Sequence, residues 1–166
     1  MIVQGRCQCD QVNYEFDTEK IISAHHCHCK DCQRSTGSGK ATIIYIANKN
    51  LKLNGELKFY GKKGTTGMTI KRGFCENCGS GVMSYPREIP LLRFIKAGTL
   101  DDSSWLKINS TFFTKSARDW DAPNQDIKCY EGNPDIMTNI KSVIKALWFN
   151  IAIDIFRKAA KHIQSK

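Results

Sequence analysis

The sequence predicts a mainly β domain followed by an amphipathic α-helix, and three observations support this fold class. Short runs rich in β-branched and aromatic residues, separated by turn residues, fill the first two-thirds of the chain. Seven of the eight cysteines lie in three tight groups among these runs. Beyond Pro134, apolar residues recur at steps of three and four, which is the spacing of an amphipathic helix. We therefore divide the chain into a β-rich domain, residues 1–133, and a helical extension, residues 134–166.

The predicted strands follow one another closely along the chain. Residues 11–17 alternate between apolar and polar side chains, with Val12, Tyr14 and Phe16 on one face. A short helix is expected at residues 30–35. The remaining predicted strands are short and apolar, and they span residues 41–47, 57–60, 68–74, 81–85, 91–97 and 107–113. Strands of this length and spacing are typical of an all-β or β-rich domain.

The helical extension carries a broad apolar stripe. The residues of the stripe are Ile136, Ile140, Val143, Ile144, Leu147, Trp148, Ile151, Ile155, Ala159 and Ile163. Asp135 suits the helix start and Lys158 and Lys161 suit its end, because these charges oppose the helix dipole. A stripe of this width is expected to be buried. The sequence favours packing on its own domain, then a homodimer contact, and last a helix lying on a membrane surface.

Composition and charge narrow the class of protein. The net charge is +9, but the lysines are scattered rather than concentrated on one segment, which argues against a nucleic-acid surface. No stretch is long and apolar enough to span a bilayer. Met1 is not followed by the basic flank and apolar run of a secretory signal, so we expect a cytoplasmic protein. In that compartment tightly spaced cysteines are more often metal ligands than disulfides.

Four of the clustered cysteines form two pairs that suit one closed zinc site. The Cys75-x-x-Cys78-Gly79 turn lets two thiolates bind one metal, and its glycine suits a positive φ. Cys7 and Cys9 are expected at the edge of the first strand, where alternate residues face the same side. Because a structural zinc takes four ligands, we expect these two pairs to share one ion whose removal is destructive.

The other three clustered cysteines lie within six residues of sequence. Cys27 and Cys29 are expected on one face of a strand end, with Cys32 on the turn that follows. Three protein ligands leave the fourth position of a tetrahedral zinc open, which is the usual arrangement of a catalytic zinc. Three thiolates make the metal electron-rich, so a substrate sulfur suits the open position better than water. Lys30 and Arg34 are placed to offset the negative charge and to bind the carboxylates of a thiol substrate.

The histidines beside this second group leave alternatives open. A ring nitrogen of His25, His26 or His28 as the fourth ligand would make the group a second closed, structural zinc site. Without a metal, the three thiols would form a redox-sensitive cluster. Cys129 stands alone, as a small buried apolar residue or a bystander, and we assign it no role.

The motifs that carry the cysteines resemble the family of the glutathione-dependent formaldehyde-activating enzyme and centromere protein V. The matching segments are Gly5-Arg-Cys7-Gln-Cys9, Cys27-His28-Cys29-Lys-Asp-Cys32-Gln33-Arg34-Ser-Thr-Gly37-Ser38, Phe74-Cys75-Glu-Asn-Cys78-Gly79-Ser80, Ala97-Gly98-Thr99-Leu100-Asp101 and Ser116-Ala-Arg118-Asp-Trp120. The likeness runs from about Gly5 to about Glu131 and leaves out the helical extension. Asp10 stands where the family usually has glycine, and Ser110-Thr111 stands where it often has a histidine.

This resemblance implies a fold, two zinc ions and an activity. The implied fold is the Mss4-like type, also called a β-tent. The family is classed among carbon–sulfur lyases, and its formaldehyde-activating member is associated with the adduct of glutathione and formaldehyde. The implied ligands are Cys7, Cys9, Cys75 and Cys78 for a structural zinc, and Cys27, Cys29 and Cys32 for a catalytic zinc.

We therefore predict a zinc-dependent enzyme of the carbon–sulfur lyase type. Its substrate is the adduct of a small thiol, glutathione or similar, with a small carbonyl compound. Lys30, Arg34 and Arg118 are the candidates for binding substrate carboxylates. The alternative is a non-enzymatic, zinc-stabilised binding module, since the related fold also serves such roles. A protein of nucleic-acid or membrane surfaces is the interpretation that the residues support least.

Overall fold

The computed structural model describes residues 1–134, which contain eleven β-strands in two sheets and one α-helix. The strands are β1 (Ile2–Arg6), β2 (Asn13–Asp17), β3 (Ile21–Cys27), β4 (Ala41–Ala47), β5 (Leu51–Asn54), β6 (Lys58–Lys63), β7 (Thr69–Phe74), β8 (Gly81–Pro86), β9 (Leu92–Lys96), β10 (Ser110–Phe112) and β11 (Lys128–Cys129). The α-helix, α1, spans Lys30–Thr36. Short 3₁₀ helices span Thr18–Lys20, Asn48–Asn50, Ala97–Thr99 and Thr114–Ser116.

The smaller sheet has the strand order β1-β2-β5 and is antiparallel throughout. Its side chains alternate between core and solvent, as in β1, where Val3 and Gly5 are buried and their neighbours are exposed. In β2 the buried residues are Tyr14 and Phe16, and the register places them opposite Gly5 and Val3. One face of this sheet therefore packs inward, as the alternating pattern of residues 11–17 predicts.

The larger sheet has the order β11-β10-β3-β4-β9-β8-β7-β6. Each neighbouring pair from β3 to β6 is antiparallel. The strand β10 instead joins β3 in parallel, with Ser110 opposite His25 and Phe112 opposite Cys27. A parallel neighbour requires a long crossover connection, which is here the chain that builds the rest of the sheet. This arrangement returns the segment around residue 110 to the strand that ends at Cys27.

One hydrophobic core draws residues from both sheets. Phe16 of the smaller sheet and Ile44, Ile46 and Ile95 of the larger sheet are fully buried within it. Burying a side chain of this size stabilises the fold by about 1.5–3 kcal/mol. The buried sulfurs of Cys7 and Cys75 belong to the same cluster, so the first cysteine group borders the core.

The predicted mainly β class is confirmed for residues 1–134. The predicted helix and every predicted strand overlap an element of the same type, although the last strand shortens to Ser110–Phe112. The strands β1, β3, β5 and β11 lie outside the predicted ranges, since β1, β5 and β11 are short edge strands and β3 ends in a polar histidine pair. The Mss4-like type and the division at residue 133 stay predictions. The predicted C-terminal helix lies outside the described residues.

Candidate metal centres

The sulfur atoms of Cys7, Cys9, Cys75 and Cys78 all lie within 4.8 Å of one another, and we call this group the four-cysteine cluster. Cys7 Sγ is 3.6 Å from Cys9 Sγ, which is 3.7 Å from Cys75 Sγ. Four sulfurs bound at about 2.3 Å around a tetrahedral zinc stand about 3.8 Å apart. The cluster therefore has the dimensions of a closed zinc site, with two of its sulfurs buried and two half-buried.

Two turns present these four sulfurs. Cys7 and Cys9 lie in the turn between β1 and β2, so the prediction that they share a strand face is wrong. The Cys7 N–H still donates to the Val12 carbonyl at 2.9 Å, in register with the β1–β2 ladder, and the chain turns back where the Asp10 N–H donates to the Cys7 carbonyl at 3.1 Å. Asp10 closes this turn at φ 61°, a left-handed conformation that glycine adopts more easily. Gly79 closes the other turn at φ 73°, which confirms its predicted positive φ.

Two of the four sulfurs have hydrogen-bond partners in the turns that carry them. The Ser80 hydroxyl lies 3.3 Å from Cys78 Sγ, and hydrogen bonding to Ser80 lowers the pKa of the Cys78 thiol to about 5. The Val12 N–H donates to Cys7 Sγ at 3.3 Å. Because thiolates rather than thiols ligate metal ions, the lowered pKa of Cys78 suits this residue to bind a cation.

A polar link fastens the first of these turns to the segment after β9. Arg6 Nε donates to Asp101 Oδ1 at 2.8 Å and Arg6 Nη2 donates to Asp101 Oδ2 at 2.7 Å. This pairing holds the pKa of the Asp101 carboxyl below its usual value. The Tyr14 hydroxyl lies 2.8 Å from Thr99 Oγ1, and a β-carbon at Gly5 would collide with the Tyr14 ring. Two of the five segments that carried the resemblance, the one that begins at Gly5 and the one that ends at Asp101, therefore meet in space.

The sulfurs of Cys27, Cys29 and Cys32 also lie within 4.8 Å of one another, and we call this group the three-cysteine cluster. Cys27 ends β3 as predicted, but Cys29 is the N-cap of α1 and Cys32 lies in the helix. The predicted strand and turn positions of these two residues are wrong, because the Cys32 N–H donates to Cys29 Sγ at 3.3 Å and starts the helix there. Cys27 is buried and the other two are half-buried.

Within residues 1–134, no histidine or carboxylate joins the three-cysteine cluster as a fourth ligand. His25 Nδ1 lies 2.9 Å from Ser110 Oγ, and its Nε2 lies 2.7 Å from Ser23 Oγ. Burial lowers the pKa of His25 to about 4, which keeps the ring neutral. His26 Nδ1 lies 3.0 Å from Thr42 Oγ1. These rings are therefore engaged with hydroxyl groups and not with the sulfurs.

His28 is fully buried, although it lies between two cysteines in sequence. Burial lowers the pKa of its ring, and the charges of Asp121 and Lys40 also act on it. Lys40 and Asp121 form an ion pair with each other. The ring nitrogens of His28 are not among the ligand atoms that group with the three sulfurs. Three sulfurs without a fourth protein ligand are the arrangement that the sequence predicted for an open site.

The three sulfurs interact strongly with one another and with two cations. The hydrogen bond between Cys27 and Cys29 raises the pKa of Cys27 and lowers that of Cys29. Arg72 of β7 acts on the Cys32 sulfur, and that sulfur in turn acts on Lys96 of β9. Sequence reasoning missed both cations, because only the pairing of distant strands brings them to this cluster. Their positive charge opposes the accumulation of thiolate charge.

The three predicted substrate-binding residues lie near the cluster in sequence or in space. Lys30 and Arg34 are exposed on α1. Arg118 is also exposed, and its Nε donates to Gln33 Oε1 at 3.2 Å. The buried Gln33 amide donates to the Ser116 carbonyl at 2.7 Å, which fastens the segment around Arg118 to α1. The role of all three in substrate binding stays a prediction.

An aromatic row lies on the face of the larger sheet that carries Cys27. The register of β3 and β4 places Tyr45 on this face, with its ring centroid 4.3 Å from Phe94 and 5.0 Å from His25. The Phe112 ring extends the row at 4.4 Å from His25. Burial raises the pKa of Tyr45, and the negative charge of the three sulfurs raises it further. Among the described residues, none hydrogen-bonds to the Tyr45 hydroxyl.

Cys129, the cysteine outside the two clusters, was predicted to be either a small buried apolar residue or a bystander. Cys129 is exposed at the end of β11, with its Sγ 3.4 Å from the Asn124 carbonyl oxygen, so it is not a buried apolar residue. It lies at the edge strand of the larger sheet, where a side chain remains open to solvent. Among the helices of residues 1–134, none has the length and apolar character needed to cross a membrane.

Together the fold and the two clusters define a class of protein, the mainly β proteins whose grouped cysteines can hold metal ions. The chain belongs to the family described as the glutathione-dependent formaldehyde-activating enzyme, whose pattern matches residues 2–116. The predicted resemblance is thereby confirmed. Membership of this family associates the chain with a glutathione-related enzyme and a thiol substrate.

The chain is similar to a Rhodobacter sphaeroides protein known from a crystal structure, with 21% identity and a TM-score of 0.48. The match covers 63% of this chain and 96% of that chain. No curated protein matches the sequence.

Proposed function

We propose that the protein is a zinc-dependent enzyme of the carbon–sulfur lyase type. It makes or breaks the bond between the sulfur of a small thiol and the carbon of a small carbonyl compound. The observation that carries this proposal is the three-cysteine cluster, whose sulfurs converge without a fourth ligand from residues 1–134. Family membership makes glutathione and formaldehyde the first pair of compounds to test.

The donor sets of both clusters fit zinc, since soft thiolate sulfur is a preferred ligand of that ion. In this proposal the four-cysteine cluster holds a structural zinc. Cys27, Cys29 and Cys32 hold the catalytic zinc, for which their mutual separations are suitable. When bound there, the ion supplies a position at which a substrate sulfur loses its proton near neutral pH.

The reaction requires a thiolate and a group that stabilises charge on oxygen. In the direction of synthesis, the substrate sulfur gives an electron pair to the carbonyl carbon and the S–C bond forms. The π electrons of the carbonyl group move to its oxygen, which takes up a proton in place of the one the thiol loses. In the reverse reaction the S–C bond breaks, the oxygen loses its proton, and the thiol and the carbonyl compound are restored. Tyr45 is a protonated phenol at neutral pH, and its raised pKa keeps it protonated beside the negative sulfurs. We assign it a hydrogen bond to this oxygen as negative charge develops.

The positive residues around α1 complete the proposed site. Lys30, Arg34 and Arg118 are proposed to bind substrate carboxylates from the exposed side of the helix. Arg72 offsets the charge of the sulfurs, and its guanidinium is held by Asp31, with Nη2 3.9 Å from Asp31 Oδ2. A substrate that carries both a thiol and carboxylates matches this distribution of charge.

Cobalt substitution tests the open position directly. Co²⁺ in place of zinc gives absorption bands that report the number and type of ligands. We expect titration with glutathione to add a sulfur ligand at one of two cobalt ions and to change the bands until saturation. A Cys29→Ala variant is expected to lose this change. If wild-type protein binds two ions and its bands do not respond to any small thiol, the chain is better described as a zinc-stabilised binding module.

A further inference from the structure

The end of the larger sheet that consists of β6, β7, β8 and β9 is rich in basic residues and carries no acidic ones. None of these four strands contains Asp or Glu, and neither residue type occurs between Leu57 and Cys75. Strand pairing therefore brings together lysines and arginines that are scattered along the chain. A basic region of this kind attracts an anionic partner.

The cations on one face of these strands already have anionic neighbours. Lys62 Nζ lies 2.6 Å from Asp31 Oδ1 of α1, and Arg72 Nη2 lies 3.9 Å from Asp31 Oδ2. The charge of the Cys32 sulfur acts on Lys96. This face therefore meets α1 and the three-cysteine cluster, which balance its charge.

The opposite face carries Lys63, Lys71 and Arg93. The register places Lys71 between Gly61 of β6 and Tyr85 of β8, and the Arg93 guanidinium carbon lies 4.4 Å from the Tyr85 ring centroid. Lys63 follows Gly61 by two residues, so its side chain lies on the same face. Among residues 1–134, no carboxylate forms an ion pair with any of these three cations. They can therefore pair with the anionic groups of a ligand.

Two aromatic rings lie among these cations. The ring centroids of Phe59 and Tyr85 are 5.5 Å apart in an edge-to-face contact. Phe59 is 39% exposed, although its ring packs against Gly73, where a β-carbon would collide with it. The Arg93 guanidinium is held over Tyr85 by the Pro90 carbonyl, which accepts from Arg93 Nη1 at 2.7 Å. We call the following five residues the basic face: Phe59, Lys63, Lys71, Tyr85 and Arg93.

We propose that the basic face binds single-stranded nucleic acid, with phosphates paired to Lys63, Lys71 and Arg93 and a base stacked on Phe59. Proteins that bind single strands combine a basic surface with exposed aromatic rings, because every base has a face on which a ring can stack. Neighbouring strands lie about 4.8 Å apart, so the row from β6 to β9 spans about 14 Å and contacts a short run of nucleotides. The basic face lies on the other side of the sheet from α1, so this inference does not depend on the proposed function.

Fluorescence anisotropy of the zinc-loaded full chain tests this face with a labelled oligothymidylate of about ten nucleotides, since single-strand sites span about 4–16 nucleotides. We expect Phe59→Leu to weaken binding about tenfold, because it keeps an apolar side chain on Gly73 but removes the ring on which a base stacks. We expect Lys63→Gln to weaken binding about fivefold at about 50 mM salt and to reduce the slope of log K against log salt by about 0.7. The matched controls Tyr60→Leu and Lys62→Gln lie on the opposite face of β6 and should change binding by less than about twofold, because distant charges are screened.

Each outcome of these titrations decides the inference. Selective loss of affinity in the two face variants, with metal content and melting temperature as in wild type, supports it. If Phe59→Leu lowers the melting temperature, Lys63→Gln decides alone, since Lys63 is exposed. Three results overturn the inference: wild-type protein that does not bind the oligothymidylate, equal losses in face and control variants, or an oligoglutamate of equal charge that competes as well as the oligonucleotide. Vesicles of phosphatidylserine and phosphatidylcholine are titrated in parallel, and a loss of vesicle binding in the face variants with unchanged oligonucleotide binding would assign the face to a membrane surface instead.

Discussion

The chain builds its two cysteine clusters in different ways. In the four-cysteine cluster, Cys9 and Cys75 are 66 residues apart in sequence, and the cluster borders the hydrophobic core. The three-cysteine cluster comes from six consecutive residues, at the end of one strand and the start of one helix. A link between distant segments restricts the unfolded chain far more than a local one does. We therefore expect the fold to depend on the four-cysteine cluster and to depend much less on the three-cysteine cluster.

Ligand number and sequence separation point to the same division of roles. Four sulfurs complete the coordination of a zinc ion and leave no position for a substrate. Three sulfurs leave one position, and a local segment can lose its metal while the strands around it stay paired. Replacing one cysteine should therefore unfold the protein in the four-cysteine cluster, but should remove only a metal ion and the activity in the three-cysteine cluster.

The largest effect is expected for Cys78→Ser in the four-cysteine cluster. Structural zinc sites contribute about 10–16 kcal/mol to folding in small domains, which equals or exceeds the usual stability of about 5–15 kcal/mol. We therefore expect the variant to lose cooperative folding. Far-UV circular dichroism, urea unfolding and metal content measure this. Cys129→Ser is the matched control, since that thiol is exposed and remote from both clusters, and it should unfold like wild type.

The second effect is expected for Cys29→Ala in the three-cysteine cluster. Its sulfur is a proposed metal ligand and the cap of α1, so the variant should lose one metal ion and at least a hundredfold in activity. Loss of an N-cap costs about 1 kcal/mol, which leaves the domain folded. Metal content, steady-state rates and urea unfolding check these points. Global unfolding comparable to that of Cys78→Ser would show that both clusters are structural and would remove the contrast.

The clusters themselves could be predicted from the sequence, because close spacing identifies cysteines that share a metal. The alternation around Tyr14 and the turn at Gly79 were also readable from local pattern. The sequence could not reveal that Cys7 and Cys9 lie on a turn, because that depends on the backbone hydrogen bond from the Asp10 N–H to the Cys7 carbonyl. Local pattern shows where a strand is, but it does not show which side chains two distant strands bring together.

The residues around the three-cysteine cluster show what local sequence pattern cannot predict. Lys96, Arg72 and Tyr45 reach it from β9, β7 and β4, and each depends on strand order within the larger sheet. The sequence pointed instead to Lys30 and Arg34, which are neighbours of the cysteines along the chain. Neighbours in sequence are found by spacing, whereas neighbours across a sheet appear only once its register is known.

A third, smaller effect concerns the packing beside the four-cysteine cluster. Gly5→Ala places a methyl group against the Tyr14 ring and the Thr99 carbonyl, and we expect a destabilisation of about 1–3 kcal/mol. Urea unfolding at fixed zinc concentration measures it. Gly132→Ala is the matched control, because an added β-carbon there meets nothing within 4 Å. An unfolding free energy of Gly5→Ala equal to that of wild type would show that this turn can move without disturbing the fold.

The smallest predicted effect is on kcat, and it tests the chemistry proposed for the three-cysteine cluster. Tyr45→Phe removes one hydroxyl from the face that carries Cys27 and keeps the aromatic stacking on Phe94. We expect kcat to fall about tenfold, or about 1.4 kcal/mol in the barrier, with KM nearly unchanged. The raised pKa keeps the phenol protonated throughout, so the ratio of wild-type to variant kcat should stay constant from about pH 6 to about pH 9.

Tyr60→Phe serves as the control, since it removes a hydroxyl from an exposed ring on β6. A Tyr45→Phe variant with wild-type kcat would exclude the hydroxyl from the reaction. A kcat ratio that changes between about pH 6 and about pH 9 would instead mean that the hydroxyl titrates there, contrary to its environment. Cobalt bands identical in the variant and in wild type would place the loss in the step at the carbonyl oxygen and not in metal binding. That result would separate the substrate-facing role of Tyr45 from the ligand role of the three sulfurs.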